Sequence, residues 1–400
     1  MSGVFLKNIK VAFISPMIGT TDNLLYMQPL LSSLYLNCKN FKVFMTTKIA
    51  NNIGIDFDID CSGQMFIIRR YNKNIHREGY TDEIRIISPW IIKNLWKYSP
   101  DLIILNDFNL LSFFIVISRQ IFSKARMLLL VETKPPKRSH NTCLSVVRHL
   151  MRTLVARKVD AFLTNNNEGK KYLTEKLGAK EEKVIAMPYL TSDMAHLSGL
   201  KNEKIKEVRS SRAPRRSVKF LYVGQLIPRK GLQYSLSALA ALLPQYAGKF
   251  TFDIVGDGSF REQLQSQVRQ LGLSSFCLFH GRQPYSFLWQ WYMGADVFLY
   301  PTLSDYRALA PFEALSMGLP IVGSIHDGGV NEVVDSGRNG FSCDPRDTEQ
   351  LANILARFIE YPTLIQEFSN RSLEMASAYT LERAVESFIY GCKRALDAKV

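Results

Sequence analysis

A chain of 400 residues, 46% hydrophobic and 22% charged, is too long for a single core and has the composition of an ordinary folded protein, which excludes a disordered or fibrous chain. Its net charge of +14 is unevenly spread, with 27 Lys+Arg against 16 Asp+Glu in residues 1–200 and 23 against 20 in residues 201–400. The six cysteines (Cys38, Cys61, Cys143, Cys277, Cys343, Cys392) show no metal or redox spacing and no apolar run is long enough to cross a bilayer, so the expected setting is reducing and cytoplasmic.

In chain order, the first residues, interrupted by Lys7 and Lys10, read as leading into a strand at Lys10–Ile14 rather than as a cleavable signal. Ser15–Thr21 then joins that strand to a helical pattern over Leu24–Asn37. Further strands are expected at Lys42–Met45, Phe66–Arg69, Asp101–Leu105, Arg126–Val131, Asp160–Thr164 and Val184–Met187. Between them, helical spacing covers Ile84–Lys97, Leu110–Ile121, Leu144–Arg157 and Glu168–Leu177. Strands alternating with helices predict a doubly wound α/β sheet covered on both faces. Asp107 and Glu132 each follow the end of an expected parallel strand, where such sheets bind ligands, and each could equally cap a helix.

The stretch Lys134–Lys158 interleaves basic residues with apolar ones, Arg148 and Arg152 sharing one helical face. It either lies on an anionic membrane surface or covers the sheet with its arginines in water. No nucleic-acid-binding module accompanies the charge, so nucleic acid is not an expected partner. The polar run Lys201–Ser217 reads as a connection, after which α/β alternation resumes at Val218–Val223. Helical patterns at Thr348–Tyr361, Leu364–Ala376 and Leu381–Leu396 close the chain.

Residues that could carry chemistry cluster in this second half. Ser304 to Pro320 places Asp305 on a loop and Glu313 eight positions on, in the first turn of a short helix. Pro311 suits the start of that helix, and Gly318 suits a left-handed stop before Pro320. Carboxylates accept paired hydrogen bonds from vicinal hydroxyls, which suits sugars; alternatively Glu313 complements a helix dipole and Asp305 holds a turn. Arg229 and Lys230 stand between the strand Phe220–Val223 and a helix starting at Gly231, which makes sense if an anion sits there. Ser259-Phe260-Arg261-Glu262 reads as a capping box, so Gly256 and Gly258 are expected to be turn residues.

The order and spacing of these motifs carry a family resemblance over roughly residues 218–345. Tyr222–Gly231, Asp253–Gly258, His280–Arg282, Gly294–Asp296, the two-carboxylate segment, Gly328-Gly329 and Gly337–Gly340 together resemble the retaining, nucleotide-sugar-dependent glycosyltransferases of GT-B fold (family 4-like, glycosyl transferases group 1). That resemblance implies two Rossmann-like α/β domains facing a cleft: an acceptor-side domain over 1–195, a linker over 196–217, a donor domain over 218–377, and a last helix over 378–400 crossing back to the first domain. It implies catalytic roles for Asp305, Glu313 and Lys230, with Glu313 on the ribose and Asp305 on hexose hydroxyls. Donor contacts are implied for Gly224, Gln225, Arg229, Arg282, Arg307, Ala308, Leu309 and Ala310 as well as Glu313. Gly19, Asp107 and Glu132 would line the acceptor side.

The chain departs from the family pattern at three points. Asp305 stands where a glutamate is usual, Tyr306 and Ala308 replace small glycines, and Gln225 occupies the place of an arginine. Either Arg229 substitutes for that arginine or part of the charge clamp is missing, and Arg307 is expected to offer a planar cation to phosphate or to an acidic sugar. The implied reaction moves a hexose from a UDP- or GDP-sugar to a lipid-linked or polysaccharide acceptor, with retention by front-face attack, in surface-glycan assembly. No cofactor or metal is expected. The protein would sit in the cytoplasm, peripherally on the inner membrane face. A donor-binding homologue without turnover, or a GT-B epimerase or phosphorylase, are the alternatives.

Overall fold

Val11-Ala12-Phe13-Ile14 and Leu102-Ile103-Ile104-Leu105 are apolar at every position rather than at alternate ones, the pattern of strands covered on both faces. The computed structural model buries all eight side chains in the middle of one parallel sheet. It describes residues 8–15, 27–38, 40–45, 58–62, 65–70, 82–132, 142–189, 192–211 and 216–398.

The described residues form two compact units, the first made of those in 8–70, 83–189 and 381–398 and the second of those in 192–380. In the first unit the chain runs β1 (Lys10–Ser15), α1 (Gln28–Asn37), β2 (Asn40–Met45), β3 (Asp58–Asp60), β4 (Met65–Arg70) and β5 (Asp82–Ile87). It continues α2 (Trp90–Tyr98), β6 (Leu102–Asn106), α3 (Leu110–Phe122), β7 (Arg126–Val131), α4 (Thr142–Lys158), β8 (Ala161–Thr164), α5 (Asn167–Lys171) and β9 (Val184–Ala186). Seven of these strands make a sheet of order β3-β2-β1-β6-β7-β8-β9, while β4 and β5 pair separately.

The second unit opens with α6 (Met194–Ser198), α7 (Asn202–Ser210), β10 (Val218–Val223), α8 (Leu232–Tyr246), β11 (Phe250–Val255), α9 (Arg261–Gln270), β12 (Cys277–Gly281) and α10 (Leu288–Gly294). There follow β13 (Val297–Tyr300), α11 (Ala310–Ser316), β14 (Ile321–Ser324), α12 (Val330–Val333), β15 (Gly340–Cys343), α13 (Thr348–Glu360) and α14 (Thr363–Ala376). Its six parallel strands lie in the order β12-β11-β10-β13-β14-β15. The order reverses between β10 and β13, and in doubly wound sheets ligands bind beyond the strand ends at that reversal. The last helix, α15 (Leu381–Leu396), belongs to the first unit and lies on β7 and β8. Gly391 permits this close approach, since a Cβ there would stand 3.3 Å from the side chains of Leu128 and Leu163.

Four local expectations differ from the structure. The helix read over Ile84–Lys97 is a strand to Ile87 and a helix only from Trp90, because Pro89 interrupts the helix and supplies its N-cap. The helix read over Glu168–Leu177 leaves α-geometry after Lys171 and continues as a π-turn over Tyr172–Lys176. The polar run Lys201–Ser217 contains α7, anchored by Arg209. Its guanidinium is 6% exposed and donates to the carbonyls of Met317 (2.5 Å), Tyr292 (3.0 Å) and Ala295 (3.3 Å), at the ends of α10 and α11. The capping box at Ser259 does not form: α9 starts at Arg261 with Phe260 as N-cap and no side-chain cap. The amide of Phe260 is drawn instead to the Leu226 carbonyl (2.9 Å), and Asp257 pairs with Arg261 at 3.1 Å.

Candidate functional site

The loops after β10 and β13 meet beyond the strand ends. Pro228–Lys230 forms a single tight turn, and Gly231 then takes φ +70° to start α8. A Cβ on Gly231 would lie 1.9 Å from the Pro301 carbonyl oxygen, so only glycine lets the basic turn press against the β13 loop. Main-chain bonding fastens the two together, the Leu303 amide donating to the Arg229 carbonyl at 2.8 Å.

This junction gathers Arg229, Lys230, Tyr300 and Asp305. One carboxylate oxygen, Asp305 Oδ2, accepts from Lys230 Nζ (2.5 Å), the Tyr300 hydroxyl (2.6 Å) and Arg229 Nη1 (3.1 Å). Lys230 Nζ also donates to the Tyr300 hydroxyl at 2.9 Å, and Arg229 Nη1 to the Ser304 carbonyl at 2.6 Å. Burial alone would raise the Asp305 pKa, but the Lys230 ammonium, the hydrogen bonds from Lys230 and Tyr300, and Arg229 together hold it down at about 2. Burial lowers the pKa of the Lys230 ammonium, with Asp305 pulling the other way. Both cations face this one ionised acid, and Asp327 also acts on Lys230.

Glu313 lies apart from these cations. It is 5% exposed, and its oxygens accept from Ser192 (2.9 Å) and Tyr292 (2.5 Å), with Tyr285 bonding both Ser192 (2.6 Å) and the carboxylate itself. Burial raises its pKa, while the three hydroxyls oppose the rise. The structure thus separates the two expected catalytic acids by environment: Asp305 is paired with cations and Glu313 is wrapped in hydroxyls.

Asp327, in the loop after β14, is a third acid that sequence reasoning passed over. It is 3% exposed, and the amides of Gly329 (3.2 Å) and Ala308 donate to its carboxylate. Burial first, and then the neighbouring Asp305, push its pKa up to about 6. The available signal was its place directly before Gly328-Gly329.

The remaining expected residues divide. Gly224 directly follows β10, and Gln225 is exposed, its carbonyl accepting the Tyr222 hydroxyl at 2.9 Å. Ala308, Leu309 and Ala310 form the half-buried approach to α11, with the Ala308 amide directed to Asp327. Arg282 is exposed just after β12, while His280 bonds Asp253 at 2.7 Å and packs at a tilt against the Trp291 ring. Arg307 departs from its expected orientation toward a phosphate. Its side chain is 4% exposed, pairs with Glu332 at 2.9 Å and lies 3.9 Å over the Phe312 ring. Gly329 packs against the Arg307 stem.

On the first unit, Asp107 follows β6 with φ +61°, a conformation rare outside glycine. It does not cap α3; Asn109 does, accepting from the Ser112 amide at 2.9 Å. Glu132 follows β7 and is half-buried. Gly19 lies outside the described residues. Among the described residues no group of three or more His, Cys, Asp or Glu could hold a metal ion, and no helix is long and apolar enough to cross a membrane.

Residues 203–375 match the family model described as Glycosyl transferases group 1. A Haemophilus influenzae protein named as an uncharacterized glycosyltransferase is 27% identical over 244 residues, 61% of this chain and 64% of that one. The putative colanic acid biosynthesis glycosyltransferase WcaL of Salmonella typhimurium is 30% identical over 164 residues, 39% of this chain and 40% of that one. The chain thus spans less than two thirds of the length of either relative. Anabaena HepE, solved in complex with UDP, superposes with a TM-score of 0.71 at 17% identity, over 95% of this chain and 98% of that one. Residues 203–375 thus resemble the glycosyl transferases group 1, and the two parallel α/β sheets match the GT-B architecture.

Proposed function

We propose that the protein is a retaining glycosyltransferase that takes a hexose from a nucleoside diphosphate, UDP first and GDP second, and delivers it to a lipid-linked or polysaccharide acceptor. The observation that carries this reading is the Arg229–Lys230–Asp305 cluster at the reversal point of the second sheet. A departing diphosphate needs positive charge fixed in advance, and the largely buried Arg229 and Lys230 side chains, already held in place, provide it with little reorganisation. Arg229 and Lys230 would take the diphosphate, Asp305 the sugar hydroxyls, and Glu313 the ribose, exchanging a protein hydroxyl for a ribose hydroxyl. Gly224 and Gln225 would flank the diphosphate, and Arg282 the base. Retention would follow if a phosphate oxygen of the leaving group removes the acceptor proton on the same face.

Support for the acceptor class comes from the relatives named for colanic acid and amylovoran biosynthesis, and for the donor from neighbours solved with UDP and UDP-glucose. Asp107 and Glu132, at strand ends of the first unit, are the acceptor-side candidates. The test is a thermal-shift panel of UDP- and GDP-sugars, followed by transfer to a lipid-linked acceptor and assignment of the product anomer by NMR. A donor at 100 times its dissociation constant adds about 2.7 kcal/mol of stability. A panel without any stabilising donor, or a product of inverted anomeric configuration, overturns the reading.

A further inference from the structure

Two helices of the first unit are apolar on the side turned away from its core. On α3, Leu110, Phe114, Ile117 and Ile121 recur at intervals of four, three and four, forming one stripe. They are 48%, 53%, 37% and 76% exposed, whereas Leu111, Ile115 and Val116 on the other side are buried. A helix apolar on both sides has a second surface to cover. α4 packs beside α3 and adds Val147, Leu150 and Leu154, all exposed. Contiguous apolar surface of this kind marks an interaction face.

Charge selects the partner. From Leu110 to Lys158 the sequence has ten Lys+Arg and a single acid, Glu132. Arg148 and Arg157 are exposed on α4, while Asp160, just beyond it, is buried and paired with Arg119 and Arg126. A second copy meeting this face across a two-fold axis would set the same cations against themselves. A polynucleotide would take the charge but leave the apolar stripe in water. An anionic bilayer satisfies both, with phosphates for the cations and acyl chains for the stripe. With 13 residues in α3 and 17 in α4, and no described helix able to span, the helices would lie in the plane of the membrane surface.

We propose that the α3–α4 face docks on an anionic phospholipid bilayer, with the α3 stripe in the headgroup–acyl boundary and Arg148 and Arg157 on lipid phosphates. This inference does not depend on the donor or on turnover, and its test reads neither.

The full chain is mixed with vesicles of phosphatidylcholine alone or with phosphatidylglycerol, and binding is followed by flotation. The expected result is binding to the phosphatidylglycerol vesicles that weakens as salt rises. The triple substitution I121S/F122S/L150S at exposed positions is expected to weaken it at least about tenfold, and R148E/R157E comparably. Circular dichroism melting checks that these variants stay folded, and Phe122→Trp, expected to show a blue-shifted emission on vesicle addition, reads insertion in a folded single variant. Absence of wild-type binding to anionic vesicles, unchanged binding by the triple variant, or a dimer in sedimentation abolished by the same triple substitution would overturn the proposal.

Discussion

Asp305 and Asp327 are joined main chain to main chain: the Asp305 amide donates to the His326 carbonyl (3.2 Å) and the Gly328 amide to the Asp305 carbonyl (3.1 Å), a parallel bridge between the loops after β13 and β14. Two neighbouring acids therefore have opposite surroundings, one held at about 2 by cations and the other pushed to about 6 by burial. Environments that drive two acids apart assign them different protonation roles.

The pair fixes a pH signature of stability. Asp305, depressed from 3.8, stabilises the fold above its unfolded pKa, and this is lost as pH falls from about 4 to about 2. Asp327, raised from 3.8, holds its proton longer when folded, so stability falls as pH rises from about 4 to about 6 and then levels off. Asp327→Asn is expected to remove the second slope and to gain roughly 1–3 kcal/mol at pH 7 relative to wild type. Urea titrations across this range check it; an unaltered slope refutes it.

Lys230→Ala and Arg229→Ala are expected to weaken UDP binding about 10–100-fold each while leaving uridine binding within about threefold. The contrast matters because a merely structural role would weaken both ligands alike. Calorimetry with UDP and with uridine provides the comparison.

Glu313→Ala would leave the hydroxyls of Ser192, Tyr285 and Tyr292 without their common acceptor inside the protein. The expected loss of stability is about 2–5 kcal/mol. Glu313→Gln keeps one acceptor oxygen and should cost less than half as much. Denaturant midpoints for the two variants decide this.

Arg209→Ala should destabilise the second unit by about 2–4 kcal/mol, because the carbonyls of Met317, Tyr292 and Ala295 would lose a charged donor in a buried place. Amide exchange is expected to quicken at the ends of α10 and α11 first. Uniform exchange across the chain would argue against this local role.

Arg307→Ala is expected to lower stability by about 1–2 kcal/mol through loss of its Glu332 pair and its contact with Phe312, while donor affinity changes less than about threefold. Donor affinity falling tenfold with stability unchanged would return Arg307 to the phosphate.

By itself the sequence determined the α/β class, because runs such as Leu102–Leu105 and Met127–Val131 are apolar throughout and separated by helical spacing. It also singled out Asp305, Glu313, Arg229 and Lys230, since motif order along the chain survives without coordinates. The split at Ser88-Pro89 was legible in the proline itself, whereas the failed cap at Ser259 was less so, because the Leu226 main chain, not local propensity, set it. Only the tertiary structure decided what each acid faces. Ser192 reaches Glu313 across 121 positions, and Tyr300 and Lys230 meet Asp305 across 5 and 75. Such partners come together because sheet order, not sequence distance, brings loop ends into contact, and a carboxylate's charge state depends on those partners and on the water they exclude.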